Sequence, residues 1–251
     1  IYCPKVKVTQ EIPEKEFFDI IINTVKLYDF DSVINEIKNK IKNKPLIVPF
    51  QNGIYAEEKL KKLFPNIDTI GAVAQISVFV DERQIVKHVG KLATFFVGTY
   101  DGQENNLLQD FCESTQKIGL KIIFKKNIKE KIWEKFIFLS AYSGMTTLFL
   151  KPIGQIFEDK VMKKKFTDAM LETYNLSKKF GVSFKNNPVE FWLEKIKNMP
   201  FDMTSSMHVD FNKSKKLELD WLSGSIDTLS KNYNISCPIH KEIVEGIKKV
   251  K

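Results

Sequence analysis

The chain has 251 residues, 43% of them hydrophobic and 28% charged, which is enough for one large or two ordinary globular domains and excludes a disordered or fibrous chain. The net charge of +8 comes from lysines spread through every segment, and Arg83 is the sole arginine. That argues against a nucleic-acid reader, which leans on arginine for base contacts.

The opening stretch "IYCPKV" has no initiator methionine and is already strand-like. Phe17–Lys26 is a short, β-branched apolar run and predicts a buried strand. An amphipathic helix follows over Asp29–Lys44, with Val33, Ile34, Ile37 and Ile41 at helical spacing and Asp31 or Ser32 as N-cap. Pro45–Phe50 is the next buried strand. Gln51-Asn52-Gly53 turns the chain into a helix over Tyr55–Phe64. Strand, helix, strand, helix at this spacing predicts right-handed βαβ units and a parallel sheet.

The pattern then changes. Thr69–Val80, Gln84–Gly90 and Leu92–Gly98 read as strands, with hairpins expected and a turn signal at Asp81-Glu82-Arg83. A helix over Asn105–Ile118 and a strand over Leu120–Phe124 complete this half. From Asn127 onward only helical periodicity is found: Ile128–Leu150, Phe157–Phe180, Pro188–Asn198, Leu217–Asn232 and Pro238–Val250. Pro188 and Pro238 suit first-turn positions, and Gly181 suits a helix stop. The expected domains are residues 1–127, α/β, and 128–251, all-α.

Cys3, Cys112 and Cys237 lie far apart, as do His88, His208 and His240, so no metal site is expected and a reducing compartment is. The uncharged run Phe136–Leu150 is short for a bilayer span and contains Ser140, Ser143, Thr146 and Thr147. No signal peptide is evident. The expectation is a cytoplasmic protein with no membrane or nucleic-acid partner.

Lys135 opens that apolar run. Desolvation disfavours the ammonium, so a lysine in such a wall has its pKa drawn toward neutrality and can donate a proton there. It could equally snorkel to water or pair with a core carboxylate. In "TSSMHVDFNKSKKLELDWLSGS", Ser205 and Ser206 suit a turn cap, and Glu218 sits at the expected start of a helix beside Leu217, Trp221 and Leu222. Glu218 either supplies a favourable N-terminal charge or faces a cleft. "VPFQNG" and Lys26 put polar groups at the carboxyl edge of the sheet, where open α/β sheets bind ligands.

The order of "DIIINTVK", "VPFQNGI", "KIWEKF", "TSSMHVDF", "LELDWLSGSI" and "ISCPIHKEIVEGIK" resembles the ketopantoate reductase (2-dehydropantoate 2-reductase) family over nearly the whole chain. The resemblance implies a Rossmann-type N-terminal domain and an all-α C-terminal domain, an architecture like that of 6-phosphogluconate dehydrogenase, with the active site in the cleft between. It implies NADPH as hydride donor and reduction of a 2-oxo acid, ketopantoate, to pantoate in pantothenate and coenzyme A biosynthesis. By position, Lys135 matches the general acid, Glu218 the acid that binds the substrate's hydroxyl end, and Ser206 the serine on the substrate carboxylate. Asn52 and Lys26 match cofactor-side residues.

The departures from the family pattern matter too. Asparagines often stand one and two turns after the lysine; here those positions are Leu139 and Ser143, so Ser143 is the polar group left on the substrate side. A further asparagine position holds Met203. A less polar pocket follows, and a different 2-oxo acid becomes an alternative substrate. No Gly-x-Gly-x-x-Gly occurs in the sequence. The Rossmann-type domain is therefore expected to be incomplete at its N-terminus, lacking the Gly-rich βαβ segment that cradles the pyrophosphate. A truncated, non-catalytic relic that dimerises or binds ligand through its helices is the other alternative. A homodimer is admitted, not required.

Overall fold

The computed structural model describes residues 5–14 and 16–250, without the side chains of Lys91 and Leu92. The strand expected at "IYCPKV" falls mostly outside these residues.

Strands β1 (Ile20–Asn23) and β2 (Leu46–Pro49) pair in parallel, Ile20 opposite Leu46 and Asn23 opposite Pro49, with helix α1 (Leu27–Lys40) crossing between them. Every residue of β2 is buried, which is why its sequence is a continuous apolar run and not an alternation. Helix α1 begins four residues before the expected cap. Lys26 is its N-cap and offers no side-chain hydrogen bond, while Asp31 instead accepts from the Tyr55 hydroxyl. Helix α2 (Tyr55–Leu63) follows β2.

Strands β3 (Ile70–Val80) and β4 (Val86–Thr99) form one long antiparallel hairpin with a bulge between Ile76 and Val78. Where the sequence suggests two strands between Gln84 and Gly98, β4 runs through. Gly90 takes φ 78 without ending the strand. Helix α3 (Asn106–Lys117), capped by Asn105, leads to β5 (Ile122–Phe124), which pairs parallel to β4.

The remainder is helical: α4 (Ile128–Phe149), α5 (Ile153–Glu158), α6 (Lys160–Lys179), α7 (Pro188–Ile196), α8 (Ser206–Asn212), α9 (Ser223–Asn232) and α10 (Pro238–Val250). The fold is thus a β/α N-terminal part followed by a helical C-terminal part. The helix expected over Phe157–Phe180 is two. Asp159 is extended and its Oδ1 accepts from the amides of Val161 and Met162, capping α6 as α5 ends. The helix expected from Leu217 begins only at Ser223, and α8 is an addition that periodicity did not reveal.

Helix α4 is the hub. Every residue from Phe136 to Thr147 except Leu139 is buried, as an all-round apolar helix must be. Three of its hydroxyls are satisfied inside: Thr146 donates to the Tyr142 carbonyl and Thr147 to that of Ser143, and Ser140 shares a hydrogen bond with Thr173 on α6, while the buried Tyr142 hydroxyl has no partner among the described residues. The largest core cluster is built around α4 and reaches across to Ile54, Val73 and Tyr100 of the N-terminal part. Among the described residues no helix is long and apolar enough to cross a membrane, and no His/Cys/Asp/Glu group could hold a metal ion.

Candidate active site

Because β1 and β2 are parallel, their carboxyl ends share one edge of the sheet. Buried Gln51 ties the two following loops together, donating to Asn23 Oδ1 at 2.5 Å and to the Val25 carbonyl at 2.9 Å. Gly53 turns the chain at φ 89, a conformation that favours glycine. A Cβ there would stand 3.5 Å from the Phe136 ring and from the Trp221 carbonyl. The edge therefore lies against α4 and against the segment before α9, and these three surfaces enclose the site.

Lys135 reaches into it from α4. Its Nζ donates to Asn52 Oδ1 at 2.8 Å and to the Ala74 carbonyl of β3 at 3.0 Å. The residue keeps partial exposure, but enclosure of its ammonium lowers its pKa to about 8, with Glu57 and Glu218 pulling the other way. A lysine in this state is mostly cationic at neutral pH and can still lose its proton easily.

Glu218 belongs to the irregular segment before α9 and not to a helix, and it is buried. Its Oε1 accepts from the Leu27 amide at 3.0 Å, so it occupies the N-terminus of α1 that Lys26 leaves uncapped. Its Oε2 lies 3.6 Å from Lys26 Nζ. Lys26 also donates to Asp210 Oδ2 at 2.9 Å. Burial pulls the Lys26 pKa down, but Asp210 and Glu218 outweigh that and leave it above the usual lysine value. Lys26, Asn52, Lys135 and Glu218 thus belong to one polar region that joins the two parts of the chain.

The two serines divide their work. Ser205 is buried, caps α8 by accepting from the His208 amide at 3.1 Å, and shares a hydrogen bond with Thr146 of α4. Ser206 is the first residue of α8 and exposed, one turn before Asp210 on the same helix. Ser143 is buried in α4, two turns beyond Lys135, while Leu139 and Met203 pack against the main core.

Two residues escaped the sequence reading. Asp210 could have been found from its four-residue spacing after Ser206, had a helix been expected there. Glu57 of α2 is 1% exposed, and burial raises its carboxyl pKa to about 8. It reads in sequence as one half of an ordinary surface pair with Glu58.

At the sheet edge Asn23 Nδ2 and Gln51 Oε1 are buried without hydrogen-bond partners, beside Asn52 and Lys26. An unused amide donor and an unused acceptor at the carboxyl ends of parallel strands fit the carboxamide-bearing end of a nicotinamide nucleotide. For the phosphates, the sequence offers no glycine-rich turn of the dinucleotide-binding kind.

The family model described as "Ketopantoate reductase PanE/ApbA" matches residues 1–102, and "Ketopantoate reductase PanE/ApbA C terminal" matches residues 127–251. The 2-dehydropantoate 2-reductase of Pyrococcus horikoshii is 27% identical over 234 residues, 93% of this chain and 76% of that protein. A dimeric ketopantoate reductase from Staphylococcus aureus shares the fold with a TM-score of 0.79 at 21% identity, over 94% of this chain and 79% of that one. So does a D-mandelate dehydrogenase solved with NADH, with a TM-score of 0.80 at 18% identity, over 92% and 78% of the two chains. Between them the two family models account for nearly all of the sequence, and the chain belongs to the ketopantoate reductase family of oxidoreductases.

Proposed function

We propose that the protein reduces a 2-oxo acid to the 2-hydroxy acid, with ketopantoate as substrate and NADPH as reductant, in the cleft between residues 1–127 and 128–251. The reading is carried by one observation: an enclosed lysine ammonium, held by Asn52 Oδ1 and the Ala74 carbonyl, at the carboxyl edge of a parallel sheet.

A reduced nicotinamide, when bound, supplies the hydride; Asn52 and Lys26 are the residues that would hold its ring end. Lys135 handles the other half of the reaction. As negative charge develops on the substrate's carbonyl oxygen, the ammonium stabilises it and hands over its proton. The neutral amine left behind is tolerated because the site is already desolvated. Glu218 offers Oε2 to the substrate's hydroxyl end, and Ser206 with Ser143 offers hydroxyls to its carboxylate side. Two buried free thiols, Cys112 and Cys237, support a reducing, cytoplasmic setting, and the dimeric relative supports a homodimer.

Replacing Lys135 by Ala should lower kcat/KM for ketopantoate with NADPH by roughly 100-fold to 10,000-fold, the usual worth of a positioned general acid. Near-normal turnover in a folded Lys135→Ala protein would remove the lysine from this role. Fluorescence titration with NADPH separates the enzyme from a non-catalytic relic, which would not bind it. Leu139 and Met203, apolar where the family often has asparagine, favour a second reading, a 2-oxo acid with a less polar side chain. A panel of 2-oxo acids ranked by kcat/KM decides between them.

A further inference from the structure

In the helical part, Trp133 Nε1, Tyr142 Oη, Ser223 Oγ and His240 Nδ1 are buried without a hydrogen-bond partner among the described residues. Their places around the hub helix separate them. At 3.6 residues per turn, Tyr142 lies about 20° round α4 from Lys135, whereas Trp133 lies about 160° away. Ser223 sits against Gly144, about 180° round the helix from the lysine. His240 is on α10 and bonds through Nε2 to Thr173 and Ala169 of α6. Of the four, Tyr142 shares the face of α4 from which Lys135 reaches the sheet edge.

That face is fixed by contacts at both ends. Lys135 meets Asn52 and the Ala74 carbonyl. Further along, Thr146 Oγ1 shares a hydrogen bond of 2.8 Å with Ser205, the cap of the helix that Ser206 opens. Tyr142 stands between them, one turn before Thr146. Leu139, between Tyr142 and the lysine, is the one residue of Phe136–Thr147 that is not buried, so the face opens there. Side chains on a helix lean toward its N-terminus. Tyr142 does so, stacking its ring on that of Phe138, one turn earlier, with centroids 5.0 Å apart and planes at 16°. Phe138 stacks in turn on Trp192 of α7 at 4.3 Å, and the Trp192 indole donates to the Glu134 carbonyl at 2.7 Å. The tyrosine ring is thus held in a stack tied to the backbone of α4, and its hydroxyl is directed back toward the turn of Leu139.

A hydroxyl buried without a partner costs free energy that phenylalanine would avoid. Burial also keeps its pKa above the usual tyrosine value, so it stays a neutral donor.

We propose that Tyr142 is a substrate-binding residue, its hydroxyl donating to the carboxylate of the 2-oxo acid. The inference rests on the reading of the cleft given above and adds a donor that neither the sequence pattern nor the resemblance marks. Under that reading Lys135 takes the substrate's carbonyl oxygen, so the carboxylate is the acceptor left for this face, between the lysine and Ser206. A phenol O–H on a carboxylate is a charge-assisted bond. It supplies polar binding where Leu139 and Met203 stand in place of the asparagines frequent in the family.

Tyr142→Phe deletes the hydroxyl and keeps the ring and its stack. KM for ketopantoate should rise about tenfold or more, with KM for NADPH within about twofold of the wild type. Without substrate the variant should melt no lower than the wild type, because the lost hydroxyl had no partner. An unchanged KM for ketopantoate in the folded variant overturns the inference and leaves the proposed function standing. An equal rise in KM for NADPH marks a general disturbance of the cleft and also overturns it. If the wild type shows no turnover, the proposed function fails, and thermal melts with ketopantoate decide the inference separately. Stabilisation of the wild type that is lost in Tyr142→Phe upholds the hydroxyl contact. Equal stabilisation of the two proteins, or none of either, overturns it.

Discussion

The clearest physical claim about Lys135 is that its charge is costly in the folded state, and stability can report this without any activity. The folded pKa of about 8, against 10.5 for a free lysine, means the folded protein binds fewer protons than the unfolded chain between those values. Stability must therefore rise with pH through that window and carry the full penalty below it. Integrating from about pH 8 to about pH 9.5 gives roughly 1.5 units, or about 2 kcal/mol at 1.36 kcal/mol per unit. Lys135→Met removes the titrating group and keeps the bulk. It also strands Asn52 Oδ1 and the Ala74 carbonyl, but that cost is common to both pH values and cancels in the comparison. Urea unfolding of both proteins at about pH 7 and about pH 9.5 should show the wild type gaining about 2 kcal/mol relative to the variant. Running the pair in a Glu57→Gln background removes that carboxyl's own titration. An equal difference at both pH values would mean an ordinary, water-reaching lysine, and the case for an enclosed donor would fail.

Three other outcomes follow from the same geometry. With Lys135 as donor, kcat/KM should fall as pH rises through about 8, since the neutral amine has no proton of the required acidity to give; a flat profile to pH well above that value would contradict it. Glu218→Gln should raise KM for the 2-oxo acid by roughly tenfold, about 1.4 kcal/mol, with little loss of melting temperature, because the amide oxygen can still accept from the Leu27 amide. Gly98→Ala should destabilise the fold by about 1–3 kcal/mol in thermal or urea melts, because its Cβ would run into the Lys125 carbonyl, a backbone atom that cannot step aside; a neutral result would show that the β4–α4 junction yields easily.

The sequence made the scaffold legible where periodicity is long or turns are strongly marked. The parallel strands, α3, the hub helix α4 and the first-turn prolines of α7 and α10 all stand where their patterns put them. Lys135 was legible because a charge opening an uninterrupted apolar run stands out. Other site features were hidden for definite reasons. Helix α8 has seven residues, too few to show a period, so Asp210 had no face to lie on. Glu218 precedes its helix because residues 217–222 form only isolated turns, with the Leu222 amide donating to the Glu218 carbonyl at 3.1 Å, while its carboxylate is held on α1. Glu57 and Glu58 are neighbours with the same chemistry. The fold buries the first and leaves the second half-exposed, and no local pattern distinguishes them.

Glu218 shows how one carboxylate can serve both fold and chemistry. A carboxylate has about four acceptor positions on its two oxygens. Here Oε1 is committed to the first amide of α1, which fixes the side chain's direction and ties the helical part to the sheet edge. Oε2 accepts no hydrogen bond from Lys26, whose Nζ stands 3.6 Å away and bonds Asp210 instead. The structural duty therefore falls on one oxygen, Asp210 keeps the neighbouring ammonium from claiming the other, and under the proposed function that second oxygen is the one for a substrate hydroxyl. A shorter aspartate could not span both positions. An amide could satisfy α1 only by turning its donor toward Lys26 and the substrate's hydroxyl end. Under the proposed function the site thus has a reason to hold a glutamate at 218 that neither the cap nor the proposed substrate contact supplies alone.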